Sequence, residues 1–542
     1  MKRLLLLCLT AAVLVSCLGL SAQAAPTLSW TEFYTMGDAA SAHTRIDPIE
    51  LDGTTTLFLP ASVSRKAVPV YFTLSEKNAV VTATGSRGSV ALKSGDSLDL
   101  TALCEGMDDT ITLRARSGSM QAEKRVTFLR YDNVSTMFLV SDDPVNEGRE
   151  WVESSEDKSN RAKGSMALLA ADGESVYDGK LTQIKGRGNS TWKGAKRPYQ
   201  IKLDKKTDLL QTGDSADKAK TWVLLANFYD PSAVRNMLAL DLGRALQMEC
   251  NMGYRPVCLF YDGEFRGLYL LTEKVEVNEG RVDVTDLEKA NEMANPDVED
   301  LTKLESKTGT TANGATYLYC DGMNDPADIT GGYLLEMDFA DRAMEEKCYF
   351  ITARGFYVVV KSPEACSKAE MDYIASWYQD YEDAVFEGGT SSKTGKPFTD
   401  YVTVESMVQC YLVNELSKNG DGFNTSAYLY KETGSEPMKM GPLWDYDLSF
   451  GNNNYEDLLP QPELLYTVYA LYALPEFRAE AQRQYTKYIT PLGDVLAGDA
   501  DAVSADGSVH SFAWYREQVA AAAGYDELLW KSSHMDVRPG GN

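Results

Sequence analysis

The stretch that most constrains the fold of this chain is GPLWDYDLSFGN, residues 441–452. Its flanking apolar and aromatic residues predict a buried strand, in which Asp445 and Asp447 share one face about 7 Å apart. Two carboxylates on one buried face repel each other unless a positive group lies between them. A divalent metal ion is the natural partner, because Mg²⁺ is bound through one or two carboxylates plus phosphate oxygens. The alternative is that Asp445 only caps a turn after the strand.

Length and charge limit the class of protein. The chain has 542 residues, which is too long for one compact core and predicts two or three domains. It carries 53 Lys and Arg against 79 Asp and Glu, a net charge of −26. Because nucleic-acid binding requires a basic surface, this balance argues against a nucleic-acid partner. It fits a solvated extracellular protein, or one whose protein partner is basic.

The first 25 residues are typical of a secretory signal peptide. Lys2 and Arg3 precede a short apolar segment, residues 4–15, that is too short to predict a membrane span. Two cleavage alternatives remain open. The letters LVSC, ending at Cys17, resemble a lipoprotein signal and would leave a lipid anchor on Cys17. The letters AQA, ending at Ala24, resemble an ordinary signal-peptidase site and would release the protein.

Cysteine and histidine usage excludes several kinds of site. No CxxC pair predicts zinc binding or a redox motif. The pairs Cys250–Cys258 and Cys320–Cys348 are the two candidate disulfides. Residues 44–509 contain no histidine, which a Ser-His-Asp triad or a His-based metal site would need. Chemistry in this region must therefore rely on carboxylates, lysine, arginine and backbone groups.

The patterning changes near residue 133. Residues 26–132 show short alternating segments separated by Gly, Ser and Asp, which predict a small β-sandwich of immunoglobulin type. Residues 133–540 predict an α+β domain with a strand-rich first half and a helix-rich second half. Within it, Asp230 is predicted to cap a helix whose first residue is Pro231.

A second aspartate lies upstream of the pair. Asp421 follows a predicted helix, is flanked by Gly420 and Gly422, and has Asn424 nearby. It precedes Asp445 by 24 residues (445 − 421), with a predicted hairpin between them. In phosphoryl-transfer enzymes of kinase type, a loop Asp accepts the hydroxyl proton, an Asn assists the metal and a second Asp holds Mg²⁺. An isolated Asp-Gly is otherwise only a turn signal.

The first half of the domain offers a candidate nucleotide loop in KGRGNSTWKGAKRPYQIKL. Gly188 and Asn189 lie at a predicted strand edge, where backbone N–H groups can approach phosphates, and Arg187 adds positive charge. Lys202 lies on the following strand, where kinases carry their phosphate-binding lysine. The loop by itself is weak evidence, because it is not GxGxxG. The order of loop, strand lysine, helix, hairpin and paired aspartates is more specific.

These stretches together resemble the CotH kinase family, named for a spore coat protein. The resemblance is carried by KGRGNSTW, KRPYQIKLDKK, WVLLANFYDPSAVRNMLALDL, FRGLYLLTEKVEV, GGYLLEMD, NELSKNGDGF, SAYLYK and GPLWDYDLSFGN. It runs from about residue 135 to the last predicted helix and leaves out the N-terminal β-domain. It implies an atypical two-lobed protein kinase, with a small lobe at about 133–330 and a large lobe at about 331–540. It also implies ATP and Mg²⁺ or Mn²⁺ as cofactors.

The resemblance assigns roles to individual residues. Asp421 becomes the catalytic Asp and Asp445 the metal ligand, while Asp447 is a second ligand or a structural partner. Lys202 is implied to contact phosphates, and Glu273 falls where a hinge would meet adenine. Arg187, Gly188 and Asn189 mark the nucleotide loop, and Asn424 joins the metal site. The HRD triplet of protein kinases is absent, so the role of Asp421 depends on the family pattern.

Three functions follow as alternatives. The first is an active kinase, secreted or anchored at the bacterial surface, that phosphorylates Ser or Thr of surface, secreted or spore-coat proteins. The second is a catalytically inactive nucleotide-binding scaffold or adhesin, which the scarcity of ATP outside cells favours. The third is a carbohydrate-active enzyme, which the i, i+2 spacing of the aspartates disfavours. The net charge favours a basic or Ser-rich protein substrate.

Overall fold

The computed structural model describes residues 27–51, 53–106, 110–452 and 466–534. The predicted leader at 1–25, with Cys17 and both cleavage alternatives, lies outside the described residues. The described chain forms two compact units. The first comprises residues 27–36, 47–57 and 64–129, and the second comprises 37–46, 58–63 and the described residues from 130 onward.

Short strands dominate the described residues up to 130, most of which belong to the first unit. Residues up to 130 form β1 (Trp30–Met36), β2 (Arg45–Ile46), β3 (Ile49–Leu51), β4 (Thr54–Leu59), β5 (Val68–Pro69), β6 (Tyr71–Leu74), β7 (Val80–Gly85), β8 (Gly88–Leu92), β9 (Ser97–Leu98), α1 (Leu100–Leu103), β10 (Thr110–Ser117) and β11 (Met120–Arg130). A six-stranded sheet has the order β3-β4-β11-β10-β7-β8, and β1 pairs antiparallel with β6. The immunoglobulin type of sandwich stays a prediction.

The second unit begins with a closed barrel. Its elements are β12 (Ser135–Ser141), α2 (Arg149–Ser154), β13 (Arg161–Leu169), β14 (Ser175–Gly186), a 3₁₀ turn (Ser190–Lys193), β15 (Tyr199–Thr207), β16 (Ala219–Leu225), α3 (Arg235–Ala245), β17 (Tyr254–Tyr261) and β18 (Glu264–Glu273). The order is β12-β13-β14-β15-β16-β18-β17, and the parallel pair β12–β17 closes the ring. Alternation along β15 buries Tyr199, Ile201 and Leu203 inside and leaves Lys202 exposed outside.

A seven-stranded sheet follows, with helices packed around it. The elements are α4 (Leu287–Ala294), β19 (Ser306–Thr310), β20 (Thr316–Cys320), β21 (Tyr333–Met337), α5 (Ala340–Ala343), β22 (Tyr349–Ile351), β23 (Tyr357–Ser362), α6 (Lys368–Phe386), α7 (Val404–Ser417), β24 (Ala427–Lys431), β25 (Lys439–Met440), α8 (Tyr466–Tyr472), α9 (Pro475–Gln484), α10 (Leu492–Leu496) and α11 (Phe512–His534). Two 3₁₀ turns (Leu301–Lys303, Phe398–Asp400) and a π turn (Tyr485–Ile489) complete it. The strand order is β19-β20-β22-β23-β21-β24-β25. The chain is therefore α+β, as the sequence predicts.

Two local predictions are wrong. The helix expected from Pro231 begins at Arg235, because Asp230 accepts hydrogen bonds from the backbone and side chain of Ser232 and from the backbone of Arg235 in a preceding turn. Neither candidate disulfide is formed. Cys250 donates its thiol to the Arg281 carbonyl, and the Cys320 and Cys348 sulfur atoms lie 4.0 Å apart. No helix of the described residues is both long and apolar enough to cross a bilayer.

A buried ion pair fixes the last helix to the barrel. The Lys196 ammonium is fully buried and lies 2.7 Å from the Asp526 carboxylate of α11. The same carboxylate accepts the backbone N–H of Leu268 on β18 at 2.9 Å. Gly267 is required beside it, because its φ is +90° and a Cβ would lie 2.0 Å from the Asp526 oxygen. Helix α11 is therefore joined to the barrel by the ion pair with Lys196, by the hydrogen bond from Leu268 and by close packing against Gly267.

Removing one partner of this pair should be strongly destabilising. We expect Asp526→Ala to lower the free energy of unfolding by about 3–5 kcal/mol, because it leaves the Lys196 ammonium buried and unpaired. Chemical denaturation followed by tryptophan fluorescence measures the change. The exposed pair Lys307–Asp321 is the matched control, and Asp321→Ala should cost at most about 1 kcal/mol. Equal effects of the two substitutions would contradict this role of the buried pair.

Candidate active site

A cavity of about 380 Å³ lies between the barrel and the seven-stranded sheet, both within the second unit. The barrel contributes the glycine-rich segment after β14, residues 187–191. The opposite wall comes from the segment after β21, the loop between α7 and β24, and the segment after β25. Seven acidic side chains line the cavity: Glu336, Asp338, Glu345, Glu346, Asp421, Asp445 and Asp447. Three lining side chains are basic, namely Arg187, Arg342 and Lys361.

The paired aspartates lie in an irregular segment, which corrects the prediction of a strand. Strand β25 ends at Met440, and Pro442 cannot donate a backbone hydrogen bond to continue the ladder. Asp445 has a φ of +65°, in the left-handed region. The i, i+2 alternation of a strand therefore does not apply here. Both carboxylates nevertheless line the same cavity, and the Ser426 hydroxyl donates to Asp445 at 3.1 Å.

Asp421 enters the cavity from the loop after α7. Lys418 adopts the left-handed conformation that commonly ends a helix, with a φ of +55°. The Asp421 carbonyl then accepts the backbone N–H groups of Asn424 and Thr425, at 2.9 and 3.1 Å. Gly422 is needed in this turn because a Cβ would lie 2.3 Å from the Asn414 side chain. The turn therefore fixes Asp421 at the cavity wall.

The pKa values of Asp421 and Asp447 are raised by burial and by nearby negative charges. Burial, followed by the nearby Asp445 carboxylate, raises the pKa of Asp421 to about 6. Burial, followed by the charges of Asp445 and Asp230, raises the pKa of Asp447 well above its ordinary value. Ionising all of them together is therefore unfavourable without a cation. Such perturbed carboxyl groups in a cleft are characteristic of functional sites.

Three basic side chains line the cavity together with these carboxylates. Arg187 lies over the Trp444 ring, with its guanidinium carbon 5.5 Å from the ring centre. Among the described residues no carboxylate lies within 4.0 Å of the Arg187 guanidinium. Arg342 donates to the Thr425 hydroxyl at 3.0 Å, and Lys361 pairs with Glu346 at 2.6 Å. Arg187 is thus the cation whose charge has no direct ion-pair partner in the described part of the cavity.

The structure brings together six of the predicted site residues, which all line the cavity: Arg187, Gly188, Asn189, Asp421, Asp445 and Asp447. Three do not line it. Lys202 is exposed on the outer face of β15, and Asn424 directs its side-chain amide toward the Gly420 carbonyl at 3.5 Å. Glu273 is buried at the end of β18, where it accepts the backbone N–H of Gly253 at 2.5 Å. These positions do not support direct phosphate, metal or adenine contacts for the three residues.

Sequence reasoning missed several lining residues. Glu336 lies on β21, where it accepts the Tyr428 hydroxyl at 3.0 Å, and Lys361 lies on β23 with its nitrogen 3.5 Å from Glu336. A charged residue inside the otherwise apolar run GGYLLEMD was the available signal for Glu336. Lys361 follows an apolar run in the same way. The distance between Glu336 and Lys361 along the sequence does not reveal that β21 and β23 are paired neighbours in the sheet.

The residues that line the cavity fit a nucleotide with a divalent cation. Carboxylate oxygens are ligands that Mg²⁺ prefers. Opposite them, Gly188 has a φ of +82°, and a Cβ there would lie 2.4 Å from the Thr191 hydroxyl. A backbone that tight is typical of loops whose N–H groups approach phosphates. In the described ranges, however, no three His, Cys, Asp or Glu side chains are arranged to hold a metal by themselves, so phosphate oxygens would have to complete the coordination.

Comparison with known protein families identifies the chain. Residues 184–490 match the family described as CotH kinase protein. The chain belongs to the CotH kinase family. The matched range contains every element that lines the cavity, from Arg187 to Leu448. No curated protein matches the chain. Family membership indicates a kinase-like function, and the geometry of this CotH kinase cavity shows which side chains are available for it.

Relieving the repulsion between the carboxylates should stabilise the protein. In buffer with a chelator at pH 7.5, we expect Asp447→Asn to raise the melting temperature by a few degrees, as other changes in strained active sites do. Adding Mg²⁺ and ATP should then stabilise the wild type more than the variant, because the variant lacks a carboxylate. Differential scanning fluorimetry measures both. The exposed Asp501→Asn should change neither value, and a lower melting temperature for Asp447→Asn would contradict the repulsion.

Proposed function

We propose that this protein is an ATP-dependent protein kinase that phosphorylates Ser or Thr side chains of proteins outside the cytoplasm. The observation that carries the proposal is the convergence of Asp421, Asp445 and Asp447 from two separate loops, facing a glycine-rich segment that presents Arg187. Family membership supports the reaction class. The signal-like leader, residues 1–25, supports an extracytoplasmic site of action, either freely secreted or anchored at the bacterial surface through Cys17.

In this proposal the second unit corresponds to the two lobes of a kinase. The barrel, from β12 to β18, takes the place of the small lobe, and the seven-stranded sheet with its helices takes that of the large lobe. Strands β19 and β20 precede residue 331 but pair within the seven-stranded sheet. We therefore place the proposed lobe boundary between β18 and β19, earlier in the chain than the predicted residue 330. The cavity between the two parts is where a nucleotide would bind.

Each lining residue has a defined task. Asp421 accepts the proton of the acceptor hydroxyl, because its raised pKa brings a carboxylate closer to the ideal for a general base. Asp445 and Asp447 hold the divalent cation, either Mg²⁺ or Mn²⁺. Arg187 and the backbone near Gly188 orient the phosphates. When bound, ATP supplies the phosphoryl group, and the cation neutralises charge on the phosphate oxygens.

The residues that line the cavity also favour a kinase over a glycosidase. A glycosidase needs two carboxyl groups on opposite sides of a sugar, one acid and one base or nucleophile. Here the Asp445 charge contributes to the raised pKa of both Asp421 and Asp447, and Arg187 lines the same cavity from the glycine-rich segment of the barrel. This arrangement suits a cation and phosphates. The substrate is proposed to be a basic or Ser-rich protein, which the net charge of −26 favours.

Phosphate transfer is the direct test. Residues 26–542 are incubated with labelled ATP, Mg²⁺ or Mn²⁺ and a Ser-rich basic protein. We expect incorporation that falls about 100-fold or more in Asp421→Asn and in Asp445→Asn, because each substitution removes one essential group. The exposed Asp501→Asn serves as the control. Transfer that persists in both variants would overturn the assigned roles. Nucleotide binding without any transfer would instead identify a scaffold.

The pH dependence should report Asp421. Its raised pKa means that the base form is lost as the pH falls through about 6 rather than through about 4. We therefore expect kcat/KM for the acceptor protein to be constant near pH 7.5 and to fall about tenfold per pH unit below pH 6. Initial rates at saturating nucleotide and metal measure it. A profile that stays flat down to pH 5 would exclude Asp421 as the base.

A further inference from the structure

Asn227 carries a buried side-chain oxygen without a hydrogen-bond partner. The residue is only 5% exposed and lines the cavity, and its Oδ1 accepts no hydrogen bond from any described residue. Buried polar groups are almost always paired, because each one left unpaired lowers the stability of the fold. Three other described carboxamides have an unpaired buried oxygen, namely Asn251, Asn291 and Gln484, but none of them lines the cavity. Among the described residues, only the unpaired carboxamide oxygen of Asn227 therefore belongs to the lining of a candidate ligand site.

The barrel register places Asn227 on the same edge as the glycine-rich segment. Strand β14 ends at Gly186, which pairs with Tyr199 of β15, and Tyr199 pairs in turn with Leu224 of β16. The glycine-rich segment and the residues that follow β16 therefore leave the barrel at one edge, two strands or about 10 Å apart. Asn227 is the second residue after β16 and contributes to the barrel wall of the cavity.

The turn that begins at Asn227 also contacts the segment that carries the paired aspartates. The Asn227 carbonyl accepts the backbone N–H of Asp230 at 3.0 Å, which closes the turn. The side-chain amide of Asn452 donates both to the Tyr229 carbonyl in this turn and to the Asp447 carbonyl. One side chain thus joins the turn of Asn227 to the backbone of Asp447, so the barrel wall and the acidic wall meet here.

The backbone conformation alone does not account for an asparagine at this position. Asn227 has a φ of +51°, in the left-handed region, where Gly, Asn and Asp are the favoured residues. Glycine would meet the same backbone requirement and would leave no side-chain oxygen buried without a partner. The unpaired oxygen is therefore better explained by contact with a ligand than by the geometry of the turn.

We propose that the Oδ1 atom of Asn227 contacts the divalent cation from the barrel side of the cavity. The proposal deepens the proposed kinase function and rests on it. Carboxylate and amide oxygens are both ligands of such cations, and Mg²⁺ keeps several waters, so the contact is made directly or through one of them. The terminal torsion of Asn is broad, which allows Oδ1 to turn toward the cation. A phosphate oxygen would not pair with Oδ1, because both are acceptors. Asp445 and Asp447 then supply charge, and Asn227 supplies a neutral oxygen.

Cation binding without turnover tests this role. The probes are Mn²⁺ alone and the Mn²⁺ complex of a non-hydrolysable ATP analogue, measured by titration calorimetry on residues 26–542. We expect Asn227→Gly, which fits the left-handed backbone, to weaken binding of the complex by about tenfold or more, as the loss of a supporting contact at a metal site does. Asn227→Asp should bind at least as tightly as the wild type, because it keeps the oxygen and adds a charge. Asn251→Ala removes an unpaired oxygen outside the cavity and should bind like the wild type.

The outcomes distinguish the role of Asn227 from the proposed function. If the wild type binds neither probe, the cation site of the proposed kinase fails, and the role of Asn227 fails with it. If the wild type binds and Asn227→Gly binds equally well, only the role of Asn227 is overturned. Equal weakening in the Gly and Asp variants also overturns it, because the amide would then donate to phosphate. The expected binding results without any phosphate transfer would support the contact of Asn227 and overturn the kinase function. Melting temperatures without ligand verify that each variant folds.

Discussion

Repulsion between Asp421, Asp445 and Asp447 is the interaction on which the rest of the site depends. Burial and mutual charge raise the pKa of Asp421 to about 6 and that of Asp447 well above its ordinary value. Without a ligand, holding these carboxylates together lowers the stability of the protein, because each buried charge without a partner is costly and proteins are only marginally stable. Full ionisation of the three carboxyl groups is unfavourable without a cation between them. The acidic wall is therefore consistent with the divalent cation of the proposed function.

Side-chain hydrogen bonds from two helices hold the aspartate-bearing segment in place. Arg235 of α3 donates to the Ser449 carbonyl at 3.0 Å, and Asn236 accepts the backbone N–H of Tyr446 at 2.9 Å, so the aspartate-bearing segment is bound to that helix at two points. The Tyr446 hydroxyl reaches Asn414 of α7 at 2.7 Å, which connects the two loops that carry the carboxylates. The irregular segment is thus positioned by side-chain hydrogen bonds rather than by a strand ladder.

Much of this could be predicted from the sequence, and the exceptions have physical causes. Helices α6 and α7 and the hairpin β17–β18 follow their periodicity and the turn at Asp262-Gly263, because local pattern and burial agree there. The segment after β25 alternates like a strand, yet Pro442 and the positive φ of Asp445 remove it from the sheet. Lys202 was placed by order along the chain alone. Only the barrel register shows that Asn227 shares an edge with the glycine-rich segment.

The opposed charges of the cleft also bear on whether the protein is an enzyme or a scaffold. A protein that only binds a metal–nucleotide complex needs cations on one side and the pair Asp445 and Asp447 on the other. It has no use for Asp421, whose charge adds to the repulsion on Asp447. Gly422 and the left-handed Lys418 nevertheless shape the turn that holds Asp421 at the cavity wall. The proposed proton transfer gives this third carboxylate a use, because a general base with a raised pKa is more effective near neutral pH.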